Sequence, residues 1–193
     1  RHMRRYIYFV FLLCCAVNLL LTSCVRQKYV VMDMVHHNPG EAMTESKFLD
    51  PSFLKKNEYG AKVFFLFEAA QFGIDWKSFD PSLFPDTTEA GRWVAEKAEI
   101  IHKKYDAAKK EDLQVYCMLD MLVLPSLLVE KHRTELTNEQ GKLDISKPYT
   151  QLCIRELMKE MFETFPQLDG LVIRTGETYL HDAPYYVGNQ DRK

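Results

Sequence analysis

The sequence is poor in the residues that stabilise a protein without a large core. Of its five cysteines, Cys14, Cys15 and Cys24 fall in the first two dozen positions, leaving only Cys117 and Cys153 beyond them. Two are too few for a disulfide scaffold. Cys117 lies in an apolar strand pattern and Cys153 in a helical one, the setting of small buried hydrophobes, and a bridge between them in an oxidising compartment stays open. Glycine and proline number only eight each among 193 residues, which excludes collagen-like and low-complexity chains. Positive charge is not in excess, with 25 basic against 27 acidic residues, so no basic field for nucleic acid exists. HExxH, CxxC, GxSxG and P-loop patterns are missing, which removes the commonest signatures of metal sites, serine nucleophiles and nucleotide phosphates. His36 and His37 are adjacent; on a strand they face opposite ways and chelate one metal poorly. The reading is therefore no metal and no cofactor.

What the chain does have is a 47% hydrophobic, 27% charged composition, enough to bury a core. Arg1, Arg4 and Arg5 precede an apolar run from Tyr6 to Leu21 broken only by Asn18, the layout of an export signal. The run is shorter than the roughly 20 apolar residues of a membrane-spanning helix. It ends in Leu21-Thr22-Ser23-Cys24, which resembles the bacterial lipobox, in which the cysteine after the cleavage site receives lipid. The expectation is a signal peptide over residues 1–23, a lipid on Cys24, and a mature chain of net charge −5, because cleavage removes three arginines and no acid.

Beyond Cys24, apolar strand patterns alternate with helical ones, as in a parallel sheet covered by helices. The strands are YVVMDMV (29–35), AKVFFLF (61–67), LQVYCML (113–119) and GLVIR (170–174). Their near-continuous apolar character fits strands buried on both faces. Asp86 and Glu89 form a capping-box pattern ahead of a helix whose Val94, Ala98, Ile101, Tyr105 and Ala108 share one face. Ile154, Met158, Met161, Phe162 and Phe165 mark another helix, stopped by Pro166, and Asp50-Pro51 opens a shorter one that ends near Gly60. Segments after strands are long and returns from helix to strand are tight, the pattern by which α/β folds gather a site at the carboxyl ends of their strands.

Side-chain alternation puts Glu68 in phase with Phe64 and Leu66, Asp120 with Tyr116 and Met118, and Arg174 with Gly170 and Val172. If these files share a face, the three charges converge on one rim. Asn38-Pro39-Gly40 turns Glu41 towards the same end, and the segment after the fourth strand adds Glu177, His181 and Asp182.

The stretches VHHNPGE, LDGLVIRTGETY and HDAPYYVGN together resemble a group of exported bacterial lipoproteins with a TIM-barrel, glycoside-hydrolase-like domain. The resemblance covers nearly all of the mature chain, but only as that domain's first half. It implies about four units of a partial (β/α)8 barrel over residues 24–193, a carbohydrate substrate and no cofactor. The implied place is the bacterial cell envelope, at the outer membrane through the Cys24 anchor. Glu177 matches the acid/base carboxylate after the fourth strand, although this chain reads Gly176-Glu177 where such enzymes carry Asn-Glu. The sugar pocket would be lined by His36, His37, Glu41, Glu68, Asp120, Arg174, His181 and Asp182. Trp76, Tyr179, Tyr185 and Tyr186 are candidates for stacking on sugar rings. The second carboxylate such chemistry requires would follow a seventh strand that this sequence does not contain, so the isolated chain is expected to be inactive. A half-barrel would also leave two open edges, so self-association or pairing with the remainder of the barrel is expected. Two alternatives stand beside this reading: a small flavodoxin-like sheet ordered 2-1-3-4, and a carbohydrate-binding lipoprotein without catalysis.

Overall fold

A computed structural model describes residues 32–33, 47–65, 68–175, 178, 180 and 183–189. The chain divides after Val30, and the unit from Val31 onward is the one described below. It is a mixed α/β structure. Four strands, β1 (Met32–Asp33), β2 (Ala61–Phe64), β3 (Gln114–Asp120) and β5 (Gly170–Arg174), form one sheet in which every pairing is parallel. They lie side by side in the order of the sequence. That order corrects the flavodoxin-like alternative, which needs β1 between β2 and β3.

The first helix, α1 (Pro51–Lys56), starts as the sequence indicates: Asp50 accepts the Ser52 amide hydrogen at 2.9 Å and proline fills the first turn. The longest helix, α2 (Glu89–Lys110), begins on a different cap from the expected one. Thr88 Oγ1 accepts the Gly91 N–H at 3.0 Å, while Asp86 pairs with Lys77 at 3.1 Å outside the helix. Gly91 is required here, because a Cβ at that position would lie 2.1 Å from the Pro85 carbonyl oxygen. The last helix of the sheet, α5 (Pro148–Thr164), stops before Phe165 and Pro166.

The core lies between these helices and one face of the sheet. Parallel register aligns Phe64 with Cys117 and Cys117 with Leu171, and this file meets Ile101 and Tyr105 of α2 and Leu157 and Met161 of α5. The Phe64 and Tyr105 rings are 4.7 Å apart, and Tyr105 meets Phe165 at 5.7 Å. Cys117 and Cys153 are buried and unbridged, and burial pushes both thiols up to about 11. The other face carries Val63 and Met118, with Phe65, Tyr116 and Val172 around them. Gly170 belongs to this face and must be glycine, because the Tyr116 ring lies 2.7 Å from where its Cβ would be.

This register corrects the phase expected for β2. Phe64 sits on the helix side, and Val63, its neighbour, is the residue that shares a face with Tyr116 and Met118. Strand β5 also departs from expectation. It is half-buried along its length and Ile173 is 43% exposed, because among the described residues no strand pairs with its outer edge.

The long segment after the third strand, roughly 120–148, which reads as loop, contains structure of its own. Strand β4 (Val123–Pro125) leads into α3 (Ser126–Lys131) and α4 (Arg133–Leu136). Strand β4 pairs antiparallel with β6 (Tyr186–Gly188), joining the segment after β3 to the segment after β5. Asn189 adds a second tie: its Oδ1 accepts the Leu143 N–H at 2.5 Å, and its Nδ2 donates to the Leu143 carbonyl at 2.6 Å.

Candidate functional site

The carboxyl ends of β3 and β5 place two opposite charges next to each other. Asp120 and Arg174 are the last residues of adjacent strands and are register partners. Parallel pairing puts paired side chains on one face, so the carboxylate and the guanidinium meet. Arg174 Nε donates to Asp120 Oδ1 at 2.7 Å and Nη2 donates to Oδ2 at 3.2 Å. This is the two-pronged geometry in which a guanidinium matches a carboxylate. The Asp120 side chain is 2% exposed and that of Arg174 is 27% exposed, so a buried anion fixes a cation that reaches partly into solvent. The expected convergence of these two is found.

Glu68 does not join them. Strand β2 ends at Phe64 and the chain turns, with the Glu68 N–H bonded to the Phe65 carbonyl at 2.7 Å. Alternation therefore stops before Glu68. Its carboxylate pairs with Lys104 of α2, and its own carbonyl accepts the Tyr105 hydroxyl at 2.8 Å. Glu68 is tied to the helix layer, on the face of the sheet opposite to Asp120 and Arg174. Glu177, His36, His37, Glu41, His181, Asp182 and Cys24 lie outside the described residues, as does Tyr179.

Two of the aromatic candidates belong to the core. Trp76 is completely buried, and Tyr186 is 4% exposed with its hydroxyl donating to the Gln71 carbonyl at 3.2 Å. Tyr186 also stacks against Phe84 at 5.7 Å. Tyr185 is half-buried and meets Trp93 of α2, a residue the strand-end logic passes over because it stands on a helix. Also missed is Glu160 of α5, a carboxylate 5% exposed that accepts the Ser78 hydroxyl. Burial raises its pKa, and Asp75 nearby adds to the rise. The signal for Glu160 was present: it follows Cys153 and Leu157 at helical spacing, so an acid stood in an apolar stripe.

Among the described residues, no cluster of three histidine, cysteine, aspartate or glutamate side chains is arranged to hold a metal ion. Chemically, the Asp120–Arg174 pair provides a cation of fixed orientation at the strand ends. It can direct N–H groups at a hydroxyl or anionic oxygen of a bound molecule.

No protein-family model matches the sequence, and no curated protein matches it. Among solved structures, a noncanonic maltogenic alpha-amylase from Thermotoga neapolitana is similar at 16% identity, with a TM-score of 0.46. The match covers 81% of this chain and 41% of that one, so the chain spans less than half of the enzyme's length.

Proposed function

We propose that the chain is the first half of a lipid-anchored, carbohydrate-active hydrolase domain that acts on glycosidic bonds at the bacterial cell envelope. The observation that carries the reading is the Asp120–Arg174 pair at the carboxyl ends of two central-to-edge parallel strands, in a sheet whose strands follow sequence order. That placement suits the first four units of a barrel, whose ligand end lies at the carboxyl ends of its strands. In this reading Glu177 donates the proton to the departing glycosidic oxygen, which needs it protonated near neutral pH through desolvation or a neighbouring carboxylate. Arg174, held by Asp120, orients sugar hydroxyls, and His36, His37, Glu41, His181 and Asp182 complete the lining. Residues 1–23 serve as the export signal, and Cys24 carries the acyl chains.

A second reading, a binding lipoprotein without catalysis, is favoured by one specific observation. The carboxylate described at the strand ends, Asp120, is held in two-pronged geometry by Arg174, an arrangement that positions a charge for a ligand.

The test is hydrolysis and binding of a panel of soluble polysaccharides and aryl glycosides, using the full chain in mild detergent alongside Arg174→Gln and Glu177→Gln. Carrying only one of the two carboxylates, the chain by itself should bind without releasing product under either reading, with binding weakened in Arg174→Gln. Product release from a longer protein that supplies the second carboxylate, lost there in Glu177→Gln, supports the hydrolase, and binding without product in that longer protein supports the binder. Neither binding nor product on any glycan overturns both. Labelling with a tagged fatty acid tests the anchor: wild type should label, and equal labelling of Cys24→Ser would remove Cys24 from the reading.

A further inference from the structure

The amino ends of the strands carry a surface of another kind. Lys47–Leu49 form a single 3-10 turn in which every residue is exposed, Phe48 to 38% and Leu49 to 41%. The turn is held in place. The Phe48 ring packs edge-on against Phe53 of α1 at 5.3 Å and lies 6.0 Å from Tyr59, while its carbonyl accepts from Nζ of the buried Lys62 at 2.9 Å. Phe48 and Leu49 therefore stand out side by side from a fixed platform. Among the described residues, the other large apolar side chains of similar exposure, Ile100, Leu127, Ile145, Phe162 and Ile173, have no such neighbour in sequence, and single residues of that kind are ordinary.

The charge around this turn is opposite to that of the chain. Residues 47–62 carry Lys47, Lys55, Lys56 and Lys62 against Asp50 and Glu58, in a sequence whose acids outnumber its bases by 27 to 25. Asp50 is engaged in capping α1, where it accepts from the Ser52 amide and hydroxyl at 2.9 Å and 2.8 Å. Lys55 pairs with Asp112 at 2.9 Å, and Lys47 and Lys56 are both exposed. An adjacent Phe and Leu with lysines in the same short stretch is the composition of a segment that lies in a membrane interface, its apolar groups at the acyl boundary and its ammonium groups among the phosphates.

We propose that this surface rests on a lipid bilayer containing anionic phospholipid, with Phe48 and Leu49 entering the interface and Lys47 and Lys56 meeting phosphate oxygens. The proposal rests on the lipid-anchor reading above and adds to it a second contact, which fixes orientation. Residues 25–46 join Cys24 to the turn, and a chain of 22 residues reaches at most about 75 Å, so an acyl anchor alone does not decide which way the domain faces. The tether does keep the patch near the bilayer, so a weak contact suffices to be occupied. Tyr59 and Gly60 lead into the start of β2, and Asp112, the partner of Lys55, stands just before β3. Asp120 and Arg174 end β3 and β5. In a parallel sheet these are opposite ends, so a domain seated on its amino-end patch turns the Asp120–Arg174 rim away from the membrane, to the side from which a soluble glycan arrives.

The test uses indole fluorescence as a depth reporter. The sequence has two tryptophans, Trp76, which is completely buried, and Trp93, so residues 1–46 contribute no signal. The full chain is reconstituted on vesicles of phosphatidylethanolamine with brominated acyl chains, with and without phosphatidylglycerol. Leu49→Trp is the probe, Phe48→Trp repeats the measurement one residue away, and Ile145→Trp, similarly exposed but in the segment after β3, is the control. On the anionic vesicles bromine should quench Leu49→Trp about twofold more than wild type, as a side chain seated at the acyl boundary requires, and leave Ile145→Trp at the wild-type level. Lys47→Gln and Lys56→Gln, each added to Leu49→Trp, should shift the seated equilibrium about fivefold apiece, the worth of one lysine near an anionic surface. Thermal melts show that each variant is folded. If the chain floats with the vesicles but Leu49→Trp and Phe48→Trp are quenched no more than wild type, the patch is overturned and the anchor stands. Equal quenching of Leu49→Trp and Ile145→Trp overturns the orientation, and equal quenching with and without phosphatidylglycerol overturns the anionic partner. Quenching of Leu49→Trp in a chain that takes up no tagged fatty acid supports the patch and removes the anchor. A chain that floats with neither vesicle overturns both.

Discussion

At the scale of single residues, the charges of this chain divide into those that position and those that merely hold. Removing Arg174 takes from the buried Asp120 the guanidinium that grips it at two points, and breaking one side of such a pair costs about 3–5 kcal/mol when both partners are buried. Because Arg174 is 27% exposed, water screens part of the interaction. Arg174→Met should therefore destabilise by about 2–3 kcal/mol in urea melts, and Asp120→Asn by less, since its amide oxygen still accepts from the guanidinium. Glu160 gives a pH signature of known sign. Its folded-state pKa is raised by burial, so the folded protein binds its proton more tightly than the unfolded chain does. That contribution is fully present below the unfolded carboxyl pKa and fades as pH rises through the raised value. In Glu160→Gln this fall in stability across the window should vanish, which melts at stepped pH would show. Asp80 works in the opposite sense. Hydrogen bonds from Ser82 and Lys131 hold it down at about 2, and its contribution is lost only in strong acid. The pairing of Asp120 with Arg174 was legible in the sequence because strand phase is a local property. The fate of Glu68 was not, because it depends on β2 ending at Phe64, and on Lys104, 36 residues later, reaching back to it.

At the scale of elements, α1 and α2 both end without the glycine that commonly closes a helix. Glu58, after α1, and Asp112, after α2, occupy left-handed conformations at φ 64° and 55°. A side chain is strained there and glycine is not. Glu58→Gly should stabilise by about 1 kcal/mol; an unchanged or lowered melting temperature would contradict the strain. Asp112 is a poorer target, because its carboxylate accepts from Lys55 at 2.9 Å and links the ends of the two helices. Gly91→Ala should have the opposite effect, about 1–3 kcal/mol of destabilisation, because its methyl group would enter the Pro85 carbonyl. Sequence patterns show β3, β5, α1 and α2 well, since each is long enough or sharply enough bounded for its period to be read. They miss β4, β6, α3 and α4, pieces of three to six residues whose existence depends on a partner distant in sequence. One position of the α5 stripe departs for a related reason: Ile154, Met161 and Phe165 are buried as expected, but Phe162 is 42% exposed, and the buried face takes in Cys153, Leu157 and Glu160 as well.

At the scale of the whole molecule, the strands of the sheet lie in sequence order, and among the described residues no strand covers the outer edge of β5. Strand β5 carries Leu171, Val172 and Ile173 without a charge or proline among them, the kind of edge that invites pairing with another chain. Ile173→Lys should lower self-association in sedimentation experiments while leaving the melting temperature nearly unchanged, since Ile173 is 43% exposed. A wild-type chain that stays monomeric at high concentration would show that this edge is already satisfied. The β4–β6 pairing and the Asn189 clasp act at the same scale, and their consequence is thermodynamic. They fasten the segments after β3 and β5 to each other before any ligand arrives. The ordering entropy of those segments is therefore lost during folding and does not recur on binding. Releasing the clasp with Asn189→Ala should leave the contacts of a bound ligand intact, yet turn its association more enthalpic and less favourable in entropy, a change that calorimetry reads even where affinity barely moves.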